Sequence, residues 1–197
     1  MRNYNFIFVY LFLFFLSPWI LAKSDTGIGL DGGWGFLDIG AADTAQTIAN
    51  LSGSTVTYTS DTGTWVGRLF GDFEISDNIY GEVGLFISGD VTAKYTLSGA
   101  TASEAYSANG LDFSGVLKSD EGFFVKGGVH SSTVDGQANI TISGTTYAAN
   151  AAASGTGALF GFGFEAEDGT RFGYTFYSSL GGLSDADIGF LYSGIKF

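Results

Sequence analysis

The stretch from Phe160 to Phe176, FGFGFEAEDGTRFGYTF, decides how this chain is read. Phe160, Phe162 and Phe164 alternate with Gly161, Gly163 and Glu165. After the polar turn Glu167 to Gly169, Phe172, Tyr174 and Phe176 alternate with Arg171, Gly173 and Thr175. Strict period two is the mark of a β-strand. Here each strand carries large rings on one face and almost nothing, or a charge, on the other. One face suits lipid and the other suits water.

The pattern recurs through the chain. Ile28, Leu30, Trp34 and Phe36 oppose Gly29, Asp31, Gly33 and Gly35. Trp65, Leu69, Phe73 and Ile75 oppose Val66, Arg68, Phe70, Asp72 and Glu74. Ile79, Val83, Leu85 and Ile87 oppose Tyr80, Glu82, Gly84 and Ser88. Leu111, Phe113 and Leu117 oppose Asp112, Ser114 and Lys118, and Phe123, Val125 and Val129 oppose Lys126, Gly128 and His130. With a last strand over 187–197 there are eight. Most approach the ~9–11 residues that a tilted strand needs to cross a bilayer. The last is the least regular: Leu191, Ile195 and Phe197 share a face with Gly189 and Ser193, so register errors are expected at closure.

Connections alternate in length. Ser76 to Asn78, Ser119 to Gly122 and Glu167 to Gly169 are tight polar turns. Long segments lie between, over 38–63, 90–109 and 131–155, with a shorter one over 180–186. The expected fold is all-β, an eight-stranded antiparallel up-and-down transmembrane barrel, with short turns in the periplasm and long loops outside the cell. The long segments carry near-copies of one pattern, NLSGST (50–55), TLSGAT (96–101) and TISGTT (141–146). These read as Gly-containing tips of hairpins that continue above the membrane.

Composition agrees. There are 31 glycines, one proline, 16% aromatic and 14% charged residues, and no cysteine to form a disulfide framework. Arg2 precedes an uncharged apolar run from Phe6 to Ala22, the layout of a signal peptide over 1–22, cleaved after Ala22 or else after Ser24. An uncleaved anchor is the alternative, although Pro18 and the small residues after it favour processing. Residues 23–197 then form one barrel domain of the bacterial outer membrane. Without Arg2 the chain has seven Lys and Arg against 20 Asp and Glu, a formal charge of −13. Nucleic acid and anionic headgroups are therefore poor partners.

The segments TWVGRLFGDFEISDNIYGEVGLFISG, GLDFSGVLKSDEGFFVKGGVH and GFGFEAEDGTRFGYTFY and the terminal GIKF resemble the membrane domain of OmpA-like proteins and the wider family of small outer-membrane β-barrels. The resemblance spans nearly the whole mature chain. It implies that Phe197, with Ile195 two positions earlier, is the assembly signal read by the barrel-insertion machinery. It also makes Glu82, Glu165 and Arg171 candidates for the switching charge pair that some members use. Gly173, Gly189 and Ser193 depart from the pattern, and a cell-wall tether through a peptidoglycan-binding domain is not expected.

By parity, Asp31, Asp72, Glu74, Glu82, Asp112 and Glu165 point inward with Arg68, Lys126, Arg171 and Lys196. An eight-stranded barrel is just wide enough for its own side chains, so these charges form a polar plug or line a gated conduit. The acid excess would make a conduit prefer cations. Arg171→Ala is expected to harm folding more than any loop change. His130 and Ser132 invite a catalytic reading but turn inward without a convincing acid, so no catalytic site is expected. No residue cluster suits a metal or cofactor.

The favoured role is structural and surface-interacting: a monomer in outer-membrane lipid, inserted by the assembly machinery, with loops that offer contacts to an extracellular ligand. The rivals are a narrow cation-preferring pore or carrier of small apolar molecules, and a soluble lipocalin-like barrel with the opposite polarity.

Overall fold

The structure, a computed structural model, describes residues 26–197; the expected leader and both cleavage points lie outside the described residues. In chain order the elements are β1 (Gly27–Asp38), α1 (Ala41–Ser52), β2 (Thr57–Asp61), β3 (Gly63–Ser76), β4 (Ile79–Ser88), β5 (Val91–Leu97), β6 (Ala100–Lys118), β7 (Phe123–Ile142), β8 (Thr145–Glu165), β9 (Thr170–Tyr177), a single 3₁₀ turn (Leu180–Gly182) and β10 (Asp187–Lys196).

Eight of these strands close a ring, β1-β3-β4-β6-β7-β8-β9-β10 and back to β1, every pair antiparallel. This is an eight-stranded up-and-down transmembrane barrel. Its outward positions are apolar and exposed, among them Ile28, Trp34, Leu69, Leu85, Phe113, Val125, Phe162 and Leu191. Arg68, Glu82, Asp112, Lys126 and Arg171 are buried inside. That polarity is the reverse of a soluble ligand-binding barrel, which buries apolar residues and wets polar ones.

Closure is regular, contrary to expectation. β1 and β10 pair without interruption from Gly29↔Lys196 to Asp38↔Asp187. Beyond the last pair the Phe197 amide donates to the Ile28 carbonyl at 2.8 Å, and the Ile28 amide donates back at 3.3 Å. The described register shift lies elsewhere, between Glu74 and Ser76 on β3. Glycine explains why the poorly patterned strand still fits. Phe190 and Tyr192 point inward, and opposite them stand Gly35 and Gly33. A Cβ on Gly35 would lie 2.6 Å from Phe190 Cβ. Gly173 and Gly189 likewise make room for rings: a Cβ on Gly173 would meet the Tyr192 hydroxyl at 2.5 Å, and one on Gly189 would meet Tyr174 Cζ at 3.0 Å.

The three tight turns fall at the end where β1 begins. The opposite end is built up, and more regularly than the sequence suggests. β6, β7 and β8 run on beyond the apolar belt, pairing from Ala100↔Ile142 and Ile142↔Thr145 downward. β5 joins the far side of β6, and β2 joins β5. TLSGAT and TISGTT are hairpin tips, with Gly99 at φ 82° and the pair Ser143 and Gly144 at φ 50° and 85°. NLSGST is not a hairpin tip. It ends α1, where Gly53, at φ 62°, donates its N–H to the Ala49 carbonyl at 2.9 Å. The segment Ala41–Ser52 is rich in alanine, and Ala41 and Ala45 stand one helical turn apart and bury against Ala93 and Tyr95. That i, i+4 spacing was the overlooked sign of a helix.

Gly35→Val should crowd Phe190 and lower unfolding stability by about 1–3 kcal/mol. Urea titration of the refolded barrel in detergent measures this, and adding Phe190→Ala should not restore the loss, because the Gly189 carbonyl and the Cβ of residue 190 that the new side chain meets both remain.

Candidate functional site

Alternation along β1, β3, β4, β6, β7, β8, β9 and β10 aims ten charged side chains into the barrel, and they fall into two layers. In the middle layer Glu82, from β4, is the common acceptor. Its Oε2 takes both Arg171 Nη1 and Nη2 at 3.1 Å, while its Oε1 lies 2.8 Å from Arg68 Nη2 and 3.4 Å from Lys126 Nζ. Arg68, from β3, also makes a two-pronged contact with Asp112 of β6, Nη2 to Oδ1 at 2.6 Å and Nε to Oδ2 at 2.9 Å. Its Nη1 lies 3.4 Å from Asp31 of β1. Three cations thus face three acids, all buried.

The second layer sits nearer the tight turns. Lys196 Nζ pairs with Asp72 at 2.6 Å, Lys118 Nζ with Glu165 at 2.6 Å, and Asp72 also accepts the Gly27 amide at 2.9 Å. Arg171 links the layers, its Nε 3.5 Å from Glu165 Oε2. Arg171 therefore lies between the two carboxylates that the family resemblance singles out. Its guanidinium is also sandwiched between Phe70 and Phe124, 4.2 and 4.9 Å from their ring centres.

The structure brings Arg68, Asp72, Glu82, Asp112, Lys126, Glu165 and Arg171 into one connected set. Lys118 and Lys196 complete it. Among the described residues five cations and five acids share the ion pairs, so the acid excess inferred from parity does not persist inside. Glu74, expected inward, is only half-buried beside the β3–β4 turn.

Above the charges, toward the long-loop end, the lumen is apolar. Phe86, Tyr177 and Phe190 stack, with centroids 4.4 and 6.1 Å apart, and the Tyr177 hydroxyl donates to Asp112 at 2.8 Å. Leu37, Val91, Leu180 and Ile188 fill the mouth and are at most 1% exposed. Leu180 comes from the 3₁₀ turn, within the 180–186 segment that carries no period-two pattern. Tyr177 was missed as well, although it shares the inward parity of Arg171, Gly173 and Thr175.

His130 and Ser132 hold this plug. His130 Nε2 donates to the Ser178 carbonyl at 2.7 Å, and the Gly181 amide donates to Ser132 Oγ at 2.8 Å. The His130 ring packs edge-on against Phe86 and Tyr177. Both side chains are thus engaged by the segment over 178–181 that closes the barrel.

Outside the belt, α1 and β5 share a small core of Ala41, Ala45, Ala93 and Tyr95. Burial first, and the Glu104 carboxylate second, push the Tyr95 and Tyr106 phenols up to about 12. Among the described residues Lys94 is the sole cation at this end. It is outnumbered by Asp38, Asp43, Asp61, Asp90, Glu104, Asp135, Asp185 and Asp187.

No known family and no curated relative matches the chain by sequence. Solved structures do match. The attachment invasion locus protein Ail of Yersinia pestis has a TM-score of 0.54 at 12% identity, covering 88% of this chain and 100% of that one. Ail in complex with the heparin analogue sucrose octasulfate gives 0.52 at 12% identity, with the same coverage. The outer membrane protein OprG of Pseudomonas aeruginosa gives 0.50 at 11% identity, covering 90% and 99%. At such identities the likeness is one of fold.

Glu82→Ala leaves Lys126 with no described ion pair and Arg171 with Glu165 alone, whereas Arg171→Ala leaves Glu82 with Arg68 and Lys126. Glu82→Ala should therefore be the more damaging, costing about 3–5 kcal/mol, as read from urea unfolding midpoints and from the fraction refolded on an unheated gel.

Proposed function

We propose that this protein is a bacterial outer-membrane barrel with a structural and surface-interaction role, presenting its long-loop sheet outside the cell and its tight turns to the periplasm. The observation that carries this reading is the division of the molecule. An apolar belt surrounds an interior closed by balanced charges and an apolar plug, while regular sheet structure continues well beyond the belt. A barrel filled in this way supports display rather than passage.

In this reading the working surface is the sheet β2-β5-β6-β7-β8 with α1 beside it, and its partner is extracellular. The role is non-catalytic. A sulfated polysaccharide, the class represented by the ligand in the Ail complex, suits this chain poorly, because Lys94 alone stands against eight acids at the long-loop end. Lipid surrounds the belt, and the barrel is a monomer within its own membrane. The assembly machinery reads Phe197 and Ile195, both exposed on the lipid face, with Phe197 also pairing with Ile28 across the closing seam.

Two measurements test this. The barrel reconstituted in planar bilayers should give no unitary current steps, and regular cation-selective openings would favour the conduit instead. Deleting Phe197 in cells should lower the amount of heat-modifiable barrel in the outer membrane several-fold, with the remainder accumulating in the periplasm.

A further inference from the structure

On its β9 side, β8 is paired only from Leu159↔Tyr177 downward. Gly181 and Gly182 cover it around Gly155. Above that, among the described residues, no strand lies against this edge. The free stretch is long and exposed: Thr146 to Ala152 and Ser154 all face solvent.

Its polar groups can be assigned. Ile142 and Thr145 flank the two-residue turn and pair with each other, so backbone groups on β8 alternate from there between β7 and the open side. Ala158, whose carbonyl accepts the Ser178 amide at 2.9 Å, shows that even-numbered residues face the open side. Thr146, Ala148, Asn150, Ala152 and Ser154 therefore present their N–H and C=O groups outward. Proteins blunt such edges with charge, proline or a bulge. Here no charged residue occurs between Asp135 and Glu165, and no proline either, in a chain of strong negative charge.

The edge sequence also reads alike in both directions. TYAANAAAS, from Thr146 with the tyrosine next, has Asn150 at its centre. Turned about that residue, Ala149 falls opposite Ala151, Ala148 opposite Ala152 and Thr146 opposite Ser154; only Tyr147 meets a smaller partner, Ala153. An antiparallel pair of identical edges thus places outward-facing residues opposite each other, small side chain against small, with the two Asn150 amides meeting on the twofold axis. This is the self-complementarity of an isologous contact.

Direction then fixes where the second copy stands. Two barrels in one membrane present β8 running the same way. Antiparallel pairing needs the strands to run oppositely, so the partner must come from a facing membrane.

We infer that the free β8 edge, Thr146 to Ser154, is a homophilic adhesion strand that pairs antiparallel with the same edge of a copy in an opposing membrane. The inference rests on the proposed outward display of the long loops, and it names their partner. Asn150 lies ten residues beyond Phe160 of the belt, which at ~3.4 Å per residue sets the gap between belts at roughly 70 Å or less.

The test uses the mature barrel in proteoliposomes, with insertion first checked by heat-modifiable migration. Failure to insert would sink the proposed function itself; inserted barrels that fail to tether would sink only the adhesion strand. Wild-type vesicles should cluster in light scattering. Ala148→Pro removes an N–H that β7 does not use, so it should leave the barrel folded and reduce clustering at least tenfold. Asn150→Lys and Asn150→Asp vesicles should each stay dispersed alone and cluster when mixed. Leu51→Lys, on α1 and away from the edge, should change nothing. A peptide of residues 145–155 should disperse wild-type vesicles while a scrambled one does not. Dispersed wild-type vesicles, clustering that survives Ala148→Pro, or no recovery in the mixture would overturn the inference. Equal dispersal by the scrambled peptide would do so too, assigning the edge to extended peptides in general.

Discussion

Three cations converge on the carboxylate of Glu82, and a ring of eight strands leaves all three only the barrel's own side chains to pair with. Closing so few strands leaves an interior just wide enough for side chains, so what points inward must satisfy itself. Arg68 does so between Glu82 and Asp112, and Arg171 between Glu82, Glu165 and the faces of two phenylalanines. Buried charge is tolerable only when paired. The whole inward face is arranged accordingly: each charge meets one of opposite sign, and glycines stand where rings or guanidinium groups must pass.

The same narrowness shapes the upper half. Above the ion pairs the lumen changes to stacked rings and then to aliphatic side chains, with Leu180 lowered into the mouth on a segment held by His130 and Ser132. His130 and Ser132, whose types invite a catalytic reading, are thus the residues that fasten the segment over 178–181. With the interior spent on its own packing, chemistry toward the outside must come from the strands that outgrow the belt. Of those strands, β6 and β7 carry acids, whereas the upper part of β8 is uncharged, exposed and open along one edge.

Much of this was legible early, for a definite reason. A strand with lipid on one side and a crowded lumen on the other imposes period two without relief, and Phe160 to Phe176 shows it almost without exception. Short polar turns and long segments gave the connectivity. Reading failed where that two-sided constraint lapses. Above the belt both faces of a strand meet water, so alternation fades, and the upper parts of β6, β7 and β8 looked like loops. α1 was missed because Thr-rich neighbours and a repeated Ser-Gly pattern suggested hairpins, while Ala41 and Ala45 carried the helical spacing. The last strand looked irregular because its inward members are aromatic; their space is made by Gly33 and Gly35 on the strand across the seam.

By itself the sequence determined the number of barrel strands, which residues face lipid, and, Glu74 apart, which face of each strand carries the inward charges. These follow from alternation, a local property of each strand. Only the tertiary structure decided which charge meets which, that Glu82 rather than Arg171 is the centre, that the mouth is plugged, and that β8 keeps an open edge. Those depend on the stagger of strands around the ring and on which neighbour stops short. A period of two repeats identically at every register, so no single strand encodes them.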